Sequence, residues 1–239
     1  MKLNIKKINI IAIIIFVITI IPFENVSANR IINSERIPVY LTFDDGPSNI
    51  TEEMLWVLKK KNIKATFFVV GKEIEGNEEI LKEIYNEGHA IGLHTYTHKM
   101  PIVYRNENSF IHEMEDTQEV IYRVLGIKTN IIRFPGGSKP HLNSEFLDRL
   151  HNSNYKIYDW NVTVSDGIDI NRSSKSIYRE ATKFKGNLNR IIILMHCSKK
   201  NKNTLNALED ILTFYDKPIY HFEKITAETK EYYFRFKRI

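Results

Sequence analysis

The stretch LTFDDGPSN, residues 41–49, carries an apolar, strand-like run into two adjacent carboxylates, Asp44 and Asp45, and closes with Gly46-Pro47. Gly and Pro punctuate local structure, and Asp suits both turns and helix starts, so a strand ends here and a helical segment follows.

The same change of period recurs along the chain. Apolar, strand-like runs occupy residues 37–43, 64–70, 89–94, 130–134, 155–160, 191–196 and 218–222. Charge-rich segments with helical spacing fall between them, near 49–61, 73–87, 107–125, 142–152, 171–185 and 202–215. Strands buried on both faces and joined by helical crossovers make a parallel sheet, either open and doubly wound or closed as a barrel. No repeat, low-complexity segment or Pro/Gly/Ser-rich linker interrupts the pattern. One domain is therefore expected over residues 36–225, followed by a tail, 226–239, that is polar and then aromatic.

The N-terminus is different. Lys2, Lys6 and Lys7 precede an apolar stretch of 14 to 16 residues, and Val26-Ser27-Ala28 supplies small residues before a cut. Residues 1–28 read as a secretory signal cleaved after Ala28, with an uncleaved membrane anchor as the alternative. Either reading places the domain outside the cytoplasm, secreted or at the cell surface. The chain has 239 residues and a hydrophobic fraction of 43%, ordinary for a single core, and Cys197 is its one cysteine, so no internal disulfide forms. Loss of residues 1–28 takes the formal charge from +5 to +3. That mild positive balance suits anionic wall or membrane surfaces. No basic block is interleaved with aromatics, which argues against nucleic acid as a partner.

Five polar features sit at the C-terminal ends of strand-like runs: Asp44-Asp45, HTYTH (94–98), RFPGG (133–137), WNVTVSD (160–166) and LMH (194–196). In parallel α/β folds, ligands and catalytic groups gather at that edge. Each feature has a plainer reading when taken alone: a turn with a helix cap, surface histidines, a solvated Arg133, a satisfied core His196. Chance does not set all five at one edge. His94 and His98 present two imidazoles to one side if the chain turns helically, and one carboxylate completes a three-ligand site for catalytic Zn²⁺ with a position open for water. The other aspartate is then free to take the water's proton.

These motifs, in this order, resemble those of the polysaccharide deacetylase family, the NodB-homology domains or family 4 carbohydrate esterases. The resemblance implies a distorted (β/α) barrel of about seven parallel strands. It also implies roles: Asp44 as general base, Asp45, His94 and His98 as metal ligands, Arg133 as the partner that orients Asp44, and His196 as general acid oriented by Asp166. Gly136 would offer its N–H to the oxyanion, Leu194 would line the acetyl pocket, and Trp160 would join the substrate-binding surface. The ion expected is Zn²⁺, with Co²⁺ or another divalent ion as the alternative.

The sequence departs from the family pattern in three places. Gly167 stands where many members carry Trp, Gly136 where an aromatic often follows Arg-x-Pro, and Cys197 where an acidic residue often follows the histidine. The two glycines predict an open groove. The expected activity is N-deacetylation of polysaccharide containing N-acetylglucosamine, in peptidoglycan or chitin-like chains, by a monomer. An O-acetyl esterase acting on xylan and a carbohydrate-binding pseudoenzyme are the alternatives.

Overall fold

The computed structural model describes residues 36–183 and 188–236, and the residues read as an export signal lie outside that range. Among the described residues, no helix is long and apolar enough to cross a membrane.

The central strand, β1 (Ile37–Gly46), is the DDGP strand. It pairs in parallel with β2 (Thr66–Val69) on one side and β7 (Ile191–His196) on the other. From β2 the sheet continues through β3 (Ala90–Leu93) and the two-residue strands β4 (Ile131–Ile132) and β5 (Lys156–Ile157). From β7 it continues to another two-residue strand, β6 (Val162–Thr163). Seven strands thus form one parallel series, β5-β4-β3-β2-β1-β7-β6, and an eighth, β8 (Tyr220–Glu223), pairs with the N-terminal half of β1. The sheet curls into an incomplete barrel, as expected from the resemblance. The periodicity missed β6, which is too short to show an alternation of its own.

Parity along the strands separates two interiors. Val39, Leu41 and Phe43 of β1, with Ile191, Ile193 and Met195 of β7, join the large core under the helices. Residues of the other parity face the lumen. Tyr40, Phe68, Ile131, Tyr158, Ile192 and Ile225 form its apolar floor. Thr42 and Leu194 follow in register above the floor, and Asp44 and His196 come last at the open end. A Cβ on Gly92 would lie 2.4 Å from the Phe68 ring, so glycine there makes room for the floor.

The helices begin and end for local reasons. The helix after DDGP, α1 (Asn49–Lys60), is capped by Ser48 rather than by either aspartate: Ser48 Oγ accepts from Ile50 N at 3.2 Å, and Thr51 Oγ1 accepts from Ser48 N at 3.0 Å. The segment expected as one helix over 73–87 divides into α2 (Gly71–Ile74) and α3 (Glu78–Asn86), because Gly76 between them takes φ +83°. Two helices match their expected spans most closely: α5 (Glu107–Leu125), which follows the short α4 (Met100–Val103), and α8 (Lys202–Tyr215). Between these, α6 (Ser144–Asn152) and α7 (Ser174–Thr182) are shorter at their N-terminal ends than expected.

The tail also belongs to this unit. Tyr232 bridges to Tyr158 in parallel, and Arg190 donates from Nη2 to the Glu231 carbonyl at 2.8 Å. The tail thereby runs from the start of β7 to the outer side of β5, where the series of strands would otherwise stop.

Candidate active site

Asp44, Asp45, His94, Arg133 and His196 all lie at the C-terminal ends of β1, β3, β4 and β7, and Asp166 joins them from the loop after β6. Asp45, His94 and His98 form a cluster in which one ligand atom from each lies within 4.8 Å of the others. Asp45 Oδ1 is 3.6 Å from His94 Nε2 and 3.3 Å from His98 Nε2. This oxygen is buried and has no hydrogen-bond partner. A buried carboxylate oxygen without a donor is costly, and a cation removes the cost.

The donor set fits a divalent ion. His94 Nδ1 lies 2.9 Å from the Arg133 carbonyl oxygen. A carbonyl only accepts, so Nδ1 carries the hydrogen and Nε2 keeps a bare lone pair facing Asp45. Burial lowers the His94 pKa, against the opposing charge of Asp44, which keeps the ring neutral as a ligand must be. Two imidazoles and one carboxylate are a set suited to a catalytic zinc-type site with a position left for water.

The two imidazoles converge although the chain does not turn helically between them. Thr95 and His98 both take left-handed backbone, with φ 67° and 51°. Such conformations need outside support, and Glu113 of α5 gives it. Its carboxylate accepts from Tyr96 N at 2.9 Å, Thr97 N at 2.6 Å and Thr97 Oγ1 at 2.9 Å. Sequence reasoning passed over Glu113. The signal was there, since it falls on the buried stripe of α5 with Phe110, Met114 and Thr117, where a carboxylate is out of place.

Asp44 faces the lumen beside the cluster. Arg133 Nη1 donates to Asp44 Oδ1 at 2.9 Å and to Thr42 Oγ1 at 2.6 Å. Arg133 also donates from Nε to the Tyr158 carbonyl at 2.7 Å and from Nη2 to the Asp159 carbonyl at 3.1 Å, and its guanidinium lies 4.1 Å over the Phe68 ring. The side chain is wholly buried yet satisfied. Burial alone would raise the Asp44 pKa, but Arg133, with His94 and His196, outweighs it and holds the carboxyl below its ordinary value. Asp44 is therefore a carboxylate at neutral pH.

His196 is paired in register with Asp44 across β7 and β1. Its Nδ1 meets Asp166 Oδ1 at 2.8 Å, and its backbone N donates to Asp166 Oδ2 at 2.8 Å. Asp166 Oδ2 accepts as well from Thr204 Oγ1 at 2.7 Å, which fixes the carboxylate. Burial would lower the His196 pKa, yet Asp166 first and the Asp44–Asp45 pair after it raise it to about 9. His196 is an imidazolium at neutral pH.

The other expected residues divide. Leu194 sits two residues below His196 on the lumen face of β7, buried. Gly136 is exposed, with φ +76° and no atom within 4 Å of where a Cβ would be, so the space beside it is open. Gly167 does not open it. A Cβ at 167 would lie 2.3 Å from His196 Cε1 and 2.5 Å from Nε2, because the imidazole itself fills that space. Trp160 is partly exposed, packs against the apolar floor and has the Arg133 guanidinium 5.8 Å from its ring centroid. Cys197 is a packing residue: its N donates to the Asp44 carbonyl at 2.9 Å, its own carbonyl accepts from Ser48 Oγ at 2.7 Å, and burial pushes its thiol pKa up. A cavity of about 490 Å³ runs from Asp45 and His98 past Asp166 and Gly167 to Ile170, Lys199 and Lys200.

Comparisons with known proteins identify the family. Residues 32–158 match the family model described as polysaccharide deacetylase. A peptidoglycan-N-acetylglucosamine deacetylase of Bacillus cereus is 33% identical over 146 residues, 61% of this chain and 53% of that protein. The peptidoglycan-N-acetylmuramic acid deacetylase PdaA of Bacillus subtilis is 29% identical over 196 residues, 81% of this chain and 72% of that protein. The chain spans about half the length of two of the curated relatives it matches, 45% and 53%. Among solved structures, the catalytic domain of a peptidoglycan N-acetylglucosamine deacetylase from Eubacterium rectale superposes with a TM-score of 0.77 at 28% identity, covering 84% of this chain and 94% of that one. With more than half of its length matched by the family model, the chain belongs to the polysaccharide deacetylase family.

Proposed function

We propose that the protein is a metal-dependent hydrolase that removes N-acetyl groups from polysaccharide containing N-acetylglucosamine, in peptidoglycan or chitin-like chains. The observation that carries this reading is the unpartnered, buried Asp45 Oδ1 between two imidazoles, set beside the Asp44–Arg133 pair. The names of the Bacillus cereus, Bacillus subtilis and Eubacterium rectale proteins support the choice of glycan.

Asp45, His94 and His98 would hold the ion, Zn²⁺ in this reading. Such an ion lowers the pKa of a water and polarises the acetyl carbonyl. The remaining steps fall to side chains. Asp44, kept ionised and aimed by Arg133, accepts the proton of the attacking water. The Gly136 N–H, in an open part of the groove, donates to the oxygen on which charge develops. His196, protonated and held by Asp166, gives its proton to the leaving nitrogen, without which an amide does not part as an amine. Leu194 closes the apolar end against the acetyl methyl, and Trp160 contacts the glycan.

Residues 1–28, as an export signal or anchor, would carry this domain to the wall, where such glycans lie, and the domain would act as a monomer. Acetate release from a panel of acetylated glycans, with and without chelator, tests the reading. Chelator-sensitive release from N-acetylglucosamine oligomers or peptidoglycan, rising with chain length, is the expected result. Release from acetylated xylan alone would transfer the function to an O-acetyl esterase, and silence on every glycan with metal bound would favour a binding module.

A further inference from the structure

The C-terminal tail carries the run YYFRF, residues 232–236, and its aromatics are not all spent on packing. Phe234 and Trp160 meet at 5.1 Å between ring centroids with an interplanar angle of 82°, and both keep partial exposure. They meet over Gly137. A Cβ there would lie 2.7 Å from Phe234 Cε2 and 3.2 Å from Trp160 Cη2, so only glycine at 137 lets both rings in. The neighbouring residue, Gly136, is exposed and has open space beside it.

The tail is tied to this place through one buried carboxylate. Asp159 Oδ2 accepts from Phe234 N at 2.7 Å, while Asp159 Oδ1 accepts from Ser138 N at 3.0 Å. The Asp159 carbonyl accepts from Arg133, and its N donates to the Tyr232 carbonyl at 2.6 Å. One residue therefore fastens the tail, the Gly136-Gly137 loop and the orienting Arg133 together. This is more fixing than a strap that only covers the barrel edge requires.

We propose that Phe234, paired with Trp160, is a specificity-determining residue: the two rings form an apolar platform at the groove mouth that stacks against a sugar flanking the reacting one. Pyranose rings present faces of C–H groups, and a fixed aromatic pair receives such a face with little loss of conformational freedom. The platform supplies, from the far end of the chain, the aromatic wall absent at Gly136. The inference rests on the glycan reading above, and its test separates the two.

The chain has two tryptophans, so Trp56→Phe, on the surface of α1, leaves Trp160 as the sole emitter. Titration of that protein with N-acetylglucosamine tetramer and pentamer should change Trp160 emission, and adding Phe234→Ala should weaken binding roughly tenfold, with Phe234→Tyr restoring it. In turnover, Phe234→Ala should raise the pentamer KM by a similar factor and leave metal content and kcat on 4-nitrophenyl acetate unchanged. Unchanged pentamer affinity in Phe234→Ala, no Trp160 response to any oligomer, or equal loss of metal and small-ester turnover would overturn the platform. Acetate release with the same KM in Phe234→Ala at every length leaves the deacetylase reading standing and the platform refuted. Oligomer binding through Trp160 and Phe234 with no acetate released by the parent protein does the reverse.

Discussion

Asp44 and Arg133 meet at 2.9 Å inside the barrel, both cut off from solvent. The arginine arrives from β4 and the aspartate from β1, which are not neighbours in the sheet, so the ion pair spans the lumen. A pair of this kind holds geometry more than it adds stability, because desolvation offsets most of its attraction.

The division of labour between the two aspartates is open to a direct test. Asp44→Asn keeps an acceptor for Arg133 but no base, so it should retain the metal and lose turnover by roughly 10²-fold or more. Asp45→Asn should lose both. Equal metal loss in the two variants, by elemental analysis, would contradict the assignment.

His98 is the most exposed of the three ligands, with 31% of its side chain accessible, so His98→Ala should fold normally. Parent protein should carry about one divalent ion per chain and His98→Ala far less. Full occupancy in the variant would remove His98 from the site.

Glu113 touches none of the reacting groups. Its three hydrogen bonds hold the left-handed loop between His94 and His98, so Glu113→Ala should weaken metal affinity by roughly 10- to 100-fold. Competition against a chromogenic chelator measures this, and an unchanged affinity would mean that the loop holds its own shape.

The His196–Asp166 pair predicts a pH dependence in the metal-free protein. The folded pKa, about 9, lies above the ordinary 6.5. The pair's stabilisation is therefore complete below pH 6.5 and is lost as pH rises through about 9. NMR titration of the imidazole should show the high midpoint, and Asp166→Asn should move it to lower pH by about a unit or more. A midpoint that ignores Asp166→Asn would remove the carboxylate as the cause.

Gly167→Ala should disable the acid without touching the ion. The new methyl must displace the His196 ring, so turnover should fall by roughly tenfold or more while metal content stays the same. Normal turnover in that variant would show that the ring has room to move.

Much of the site was legible because its residues are polar groups at the ends of apolar runs, where they stand out. Asp44, Asp45, His94, His98 and His196 were found in this way, and parity along β1 and β7 then places Asp44 and His196 together. What escaped was of three kinds. Glu113 and Asp159 act on backbone rather than on substrate, and which N–H groups a buried carboxylate will meet depends on tertiary contacts that sequence spacing does not carry. The space at Gly167 escaped because a missing side chain looks like an opening in one dimension, whereas here a neighbour's imidazole occupies it. The tail escaped for a related reason: Tyr232 pairs with Tyr158, and nothing local in either segment announces that partner.

The order of the strands also sets an order in time. Asp45, His94 and His98 all come from the first 98 residues, and β1, β2 and β3 lie side by side, whereas His196 comes with a strand made much later. A chain emerging N-terminus first thus presents every proposed metal ligand before its proton donor exists. On the proposed reading, an ion could be gathered early, whereas the proposed proton donor reaches its place only when residue 196 has been laid against residue 44, so the proposed hydrolase would stay idle until β7 is in place.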